Sequence, residues 1–198
     1  MPYPRIEEFV PNEFQHELIV AALSSPLTVA TTAVRTGKTG AMAAWHFYQA
    51  VANPGCTGIW VVQSFPWYEN SAHVPCTELF GHIGTYHNRK KTWTFPNGAQ
   101  LVIISYEKIQ AIEGITAAWG AIDEHQDIGL DAYERLIDRV SDKRSKYPHI
   151  LITGLPEWGS WADFVGKRDS ARYFENVSID VNLMHLRDGY KEAMREGH

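Results

Sequence analysis

Apolar positions along the chain follow two periods in turn, one suited to helices and one to buried strands. Residues 1–10, with Pro2 and Pro4, form an irregular lead-in. Pro11 and Asn12 then precede apolar Phe14, Leu18, Ile19, Ala22 and Leu23, a helix start followed by a helix face. A β-rich run from Thr28 breaks at Gly37 and passes into a helix over residues 39–51. Asn53-Pro54-Gly55 marks a turn, and residues 58–64 read as a buried strand from their β-branched and aromatic content. Phe65 and Pro66 start another helix. This βαβα rhythm predicts an α/β fold with a mainly parallel central sheet flanked by helices.

Residues 81–105 interrupt the rhythm. The basic cluster His87-Asn88-Arg89-Lys90-Lys91 leads into alternating Thr92-Trp93-Thr94-Phe95, Pro96-Asn97-Gly98 makes a tight turn, and residues 99–105 read as a strand. Trp93 beside the basic run suits contact with a phosphate backbone; the plain alternative is a solvated loop. Residues 109–116 then link to an apolar run, 119–124, that ends in two acids. Beyond it a helix is expected over 130–140, a strand over 149–154, a short helix over 158–168, a strand over 171–179 and an amphipathic helix over 183–196. Residues 1–198 are expected to form one domain.

The chemistry concentrates where apolar strands end. At the first, Gly37 lets the backbone close on a phosphate, Lys38 reaches terminal phosphates, and Thr39 carries a hydroxyl for the accompanying magnesium ion. Val34, Arg35, Thr36 and Gly40 complete the expected contact surface. The strict phosphate-loop pattern wants glycine at position 32, where this chain has Thr32. At the second strand end, Asp123 suits magnesium and Glu124 suits activation of the attacking water, their side chains diverging by the alternation of a strand. Together the two halves point to ATP hydrolysis. The amide of Gln15, next to apolar Phe14, is a candidate reader of adenine. Thr153, ending the 149–154 strand, is placed to sense the phosphate site.

Composition narrows the setting. A net charge of −5 argues against coating nucleic acid by global charge and leaves local patches such as Arg89 to Lys91 or Lys143 to Lys146. Cys56 and Cys76 lack metal-ligand spacing and are expected as reduced thiols. No apolar run of spanning length and no leader-like amino terminus is seen, so neither membrane insertion nor secretion is expected.

The ordered set Phe14-Gln15, Arg35 to Thr39, the strand Ile59 to Val62, Ile122-Asp123-Glu124 and Thr153-Gly154 resembles the ATPase motor domain of the large terminase subunit of tailed bacteriophages. The resemblance implies a P-loop NTPase of the additional-strand type, using ATP and Mg2+ to drive double-stranded DNA into a procapsid. It also implies a homo-oligomeric ring, a monomer in isolation being compatible with it, that works with a portal protein, a small terminase subunit and a nuclease domain or chain in the cytoplasm of the infected host. By the same resemblance Gln15 contacts adenine, Lys38 and Thr39 the phosphates and magnesium, Asp123 magnesium and Glu124 water, while Thr153 couples hydrolysis to motion. Family loops place an arginine four residues before the lysine; here Val34 stands there and Arg35 follows. Arg35 is therefore the phosphate-contacting candidate in cis, with Arg139 and Arg144 as candidates for donation to a neighbour. The sequence stops after the motor, so no DNA cleavage is expected of it. Two other readings compete: a helicase-like nucleic-acid ATPase, against which stands the lack of a second motor domain, and a nucleotide-binding scaffold without turnover.

Overall fold

The computed structural model describes residues 9–145, 148–175 and 177. Helix α1 (Glu13–Ser24) leads into strand β1 (Leu27–Thr31), then helix α2 (Lys38–Ala52) and strand β2 (Thr57–Val62). Helix α3 (Phe65–Trp67) continues through a π-helical turn, Tyr68–Ala72, into α4 (His73–Phe80). Strands β3 (Thr85–His87), β4 (Thr92–Thr94) and β5 (Gln100–Ser105) follow, then a 3-10 segment, Tyr106–Gly114. The chain then forms β6 (Trp119–Ile122), a 3-10 turn (His125–Asp127), α5 (Leu130–Arg139), β7 (His149–Gly154), α6 (Trp161–Gly166) and β8 (Ala171–Glu175).

All eight strands share one sheet in the order β3-β4-β5-β2-β6-β7-β1-β8. From β5 to β8 every pairing is parallel, while β3 and β4 add an antiparallel edge. Side-chain alternation divides the core into two layers. Trp60 and Val62 of β2 join α1, α2 and α4 on one face, whereas Ile59 and Val61 join α5, α6 and the 3-10 segment on the other. A parallel sheet covered on both faces explains the continuous apolar runs in β1, β2 and β6. Because β1, β6 and β7 run parallel, their carboxyl ends lie at one edge, with Thr31 opposite Gly154 and Ile122 opposite Ile152.

Several expectations are corrected. Trp93 is core rather than surface: it is 2% exposed, packs edge-on to Phe80 and donates from Nε1 to the Tyr68 hydroxyl at 2.7 Å. Lys91 beside it is tied to Glu69 and Asn88. The hairpin gains a further strand, β3, and the segment read as a link at 109–116 is largely 3-10 helix. The 158–168 helix is confined to Trp161–Gly166, and β8 ends at Glu175. The helix expected over 183–196 lies outside the described residues. Cys56 and Cys76 are separate buried thiols, and no described helix is long and apolar enough to cross a membrane.

Close packing between β2 and β6 depends on Gly58. A Cβ there would fall 2.0 Å from the Trp119 ring, which is itself buried and held by a 3.0 Å bond from Nε1 to His46. Gly58→Ala is expected to destabilise the fold by about 1–3 kcal/mol, the usual cost of overpacking, read as a lowered urea midpoint with an unchanged slope.

Candidate active site

The loop between β1 and α2 is built from its own hydrogen bonds. Gly37 is the N-cap of α2 with φ 94, a left-handed conformation that glycine adopts without strain. A Cβ at Gly37 would lie 2.5 Å from Gln15 Nε2, so the bare backbone is also a packing requirement. Thr32, where the strict pattern wants glycine, does not have positive φ; the left-handed residues of the loop are Arg35 and Gly37. The Thr32 hydroxyl instead meets the Thr36 hydroxyl at 3.0 Å across the loop. Thr32 thus strengthens the loop that its sequence departure called into question.

Helix α1 clamps this loop from the side. Asn12 and Gln15 form a capping box, each side chain accepting from the other's backbone N–H. The same two residues reach the loop, Asn12 Nδ2 donating to Thr36 O at 3.3 Å and Gln15 Nε2 to Gly37 O at 3.0 Å. The Gln15 amide is therefore engaged at both ends, its Oε1 by the Asn12 N–H and its Nε2 by the Gly37 carbonyl of the loop. Phe14, the other α1 candidate, is buried with its ring edge-on to Phe174. Val34 and Arg35 stand exposed at the loop's crest, and Thr36 is buried beneath it.

Lys38 folds back over the loop. Its Nζ donates to Thr32 O at 3.0 Å and Ala33 O at 2.8 Å, and only 6% of the residue is exposed. Burial pulls its ammonium below the ordinary value, opposed by the charges of Glu124 and Asp123. Asp123 follows β6 and is fully buried. Burial, reinforced by the neighbouring Glu124 charge, pushes it up to about 7 against the opposing effects of Thr153 and Lys38. Its Oδ1 accepts from the Thr153 hydroxyl at 2.5 Å and from Glu124 N at 3.1 Å. Its Oδ2 is buried with no hydrogen-bond partner.

That orphaned oxygen fits a hard divalent cation, which takes one or two carboxylates and completes its shell with phosphate oxygens and water. Thr39, beside Lys38 in the first turn of α2, would be the hydroxyl ligand on the loop side. Glu124 diverges from Asp123 for a different reason than the one expected. It lies beyond the strand at φ 57 and ψ 55, so a left-handed backbone turns it aside, not strand alternation.

Lys38, Asp123, Glu124 and Thr153 thus converge at one edge of the sheet, while Arg139 and Arg144 do not join them. Arg139 donates to Glu113 O, and its own carbonyl accepts from Ala117 N before β6. Arg144 is paired with Asp142 and donates to Gly55 O before β2. Both lie at the opposite edge. Sequence reasoning missed Gln126, whose Nε2 donates to Glu124 Oε2 at 2.7 Å. Its one visible signal is a side chain able both to donate and to accept, two residues after the acid pair.

The raised Asp123 gives a signed pH dependence. Between pH ~4 and ~7 the folded chain holds a proton that the unfolded chain has released, a contribution to stability complete below ~4 and lost as pH rises through ~7. Asp123→Asn is expected to melt above the parent at pH 8 without metal or nucleotide, with the gap narrowing at pH 5. Thermal melts at the two pH values check this.

The sequence matches no protein-family model and no curated protein. Among solved structures, the chain superposes on the large terminase from a thermophilic bacteriophage with a TM-score of 0.79 and 13% identity, over 96% of this chain and 51% of that one. The chain therefore spans about half the length of that protein, which has also been solved with ADP and with ATP-gamma-S. The ATPase domain of the large terminase from Thermus phage P74-26 gives a TM-score of 0.68 at 15% identity, covering 96% of this chain and 92% of that domain. The helicase domain of Hef from Pyrococcus furiosus gives 0.57 at 16% identity, over 87% of this chain and 39% of that one. In the chain itself, the strand of the phosphate loop (β1) and the strand of the acids (β6) are separated by one strand, β7. The fold is that of a P-loop NTPase of the additional-strand type.

Proposed function

We propose that this chain is the ATPase motor of a tailed-phage DNA-packaging machine, hydrolysing ATP with Mg2+ to translocate double-stranded DNA into a procapsid. The observation that carries the hydrolytic part is the meeting of a phosphate loop with two differently placed acids. Asp123 is buried with one oxygen unsatisfied, and Glu124 is turned aside by its left-handed backbone. Lys38 exchanges its contacts with Thr32 O and Ala33 O for phosphate oxygens, while the N–H groups at the start of α2 face the same anion. Asp123 and Thr39 would hold magnesium, which would supply charge neutralisation at the phosphates. Glu124 orients the attacking water and takes its proton.

The packaging part rests on the likeness to the large terminases of the thermophilic bacteriophage and of Thermus phage P74-26. On this reading the partners are DNA, a portal protein, a small terminase subunit and a nuclease domain or chain, assembled with a ring of copies in the host cytoplasm. Arg35, on the crest of the loop, is the proposed cis contact to phosphate. Donation of Arg139 or Arg144 in trans would require a neighbour to present the opposite edge of its sheet to this loop. The lower-scoring likeness to the Hef helicase domain supports the second reading, a helicase-like nucleic-acid ATPase.

Magnesium-dependent ATP turnover at increasing protein concentration tests the proposal. The parent should gain activity faster than linearly. Glu124→Gln should lose about 10²–10⁴-fold in kcat while still binding ATP, the contribution usual for a general base. Lys38→Ala should lose ATP affinity. A parent that binds ATP yet stays inactive at every concentration, with DNA and portal-like partner present, supports a scaffold instead.

A further inference from the structure

We propose that Gln126 is a positioning residue that aims the Glu124 carboxylate and ties it to the end of β7; this rests on the ATPase reading above. Gln126 bridges two groups of opposite hydrogen-bonding character. Its Oε1 accepts from Leu155 N at 3.0 Å, and its Nε2 donates to Glu124 Oε2 at 2.7 Å. The orientation of the amide is forced, because a backbone N–H only donates and a carboxylate only accepts. A glutamate of the same length would lose the donor, and a methionine would lose both groups.

The surrounding packing keeps this bridge short. Gly154 ends β7 directly beneath the 125–127 turn, and a Cβ there would fall 2.4 Å from His125 Cδ2, 2.6 Å from Gln126 Oε1 and 2.9 Å from His125 N. The end of β7 consequently holds both acids over three successive residues. Thr153 bonds Asp123 directly, Gly154 admits the turn, and Leu155 holds Glu124 through Gln126. A shift of the β7 end relative to β6 therefore redirects the two carboxylates together, giving the strand between the loop and the acids a mechanical connection to the water-activating group.

The test uses the whole chain, comparing the parent with Gln126→Glu and Gln126→Met in magnesium-dependent ATP turnover, ATP affinity and thermal melting. Gln126→Glu keeps an acceptor for Leu155 N but removes the donor and places a like charge beside Glu124. Both variants are expected to lose ~10²-fold in kcat, the scale of a misaimed catalytic group, with KM and ATP affinity within about twofold of the parent. Gln126→Glu should melt near the parent. Unchanged kcat in both variants beside an active parent overturns this inference alone. So does a kcat loss accompanied by equal losses in affinity and melting temperature, which marks a purely structural residue. A parent that binds ATP without turnover overturns the ATPase reading and this inference with it.

Discussion

A buried ammonium must find acceptors, and in this chain that requirement shapes the whole edge of the sheet. Lys38 takes two carbonyls of its own loop, which closes the loop on itself, and faces two acids across it. The acids in turn are held by β7, which can do so because it lies between the strand of the loop and the strand of the acids. Parallel pairing delivers all three strand ends to one place, so the order of strands, more than any single contact, determines which side chains meet. The capping box of α1 then locks the outer wall of the loop, making a helix start and the β1–α2 loop parts of one hydrogen-bond network.

Much of this was legible because it follows from period and chemistry. Strand β7 coincides with its apolar run, and α2 begins within one residue of the expectation, since a β-rich run breaking at glycine into a helical pattern has few alternatives. Trp93 shows the limit. Alternation places it on one face of β4 without saying whether that face meets solvent or α4, and its basic neighbours suggested the wrong answer. Three-residue β3 and the three-residue 3-10 turn His125–Asp127 carry too few residues to show a period. Gln126 was hidden for another reason: a polar residue in a polar turn acquires meaning only from Leu155, and nothing local signals so distant a partner.

The departure at Thr32 marks where a pattern and its physical cause separate. A glycine is demanded by positive φ or by close approach, and here those demands fall on Gly37, with the second left-handed residue at Arg35. A short hydroxyl side chain at Thr32 meets neither obstacle and adds a contact to Thr36. The loop therefore closes without a glycine at position 32.

The left-handed backbone at Glu124 carries the last step. A non-glycine residue in this region costs ~1–3 kcal/mol and persists only where its surroundings over-determine it. Glu124 has such surroundings: its N–H is held by Asp123 Oδ1, its carbonyl accepts from Asp127 N, and its carboxylate is held by Gln126. Two of those three partners are themselves anchored to β7, Asp123 through Thr153 and Gln126 through Leu155. The strained conformation that separates the directions of the two acids is thus maintained from the neighbouring strand. The end of β7 thereby helps to hold a conformation that runs against the backbone's own preference.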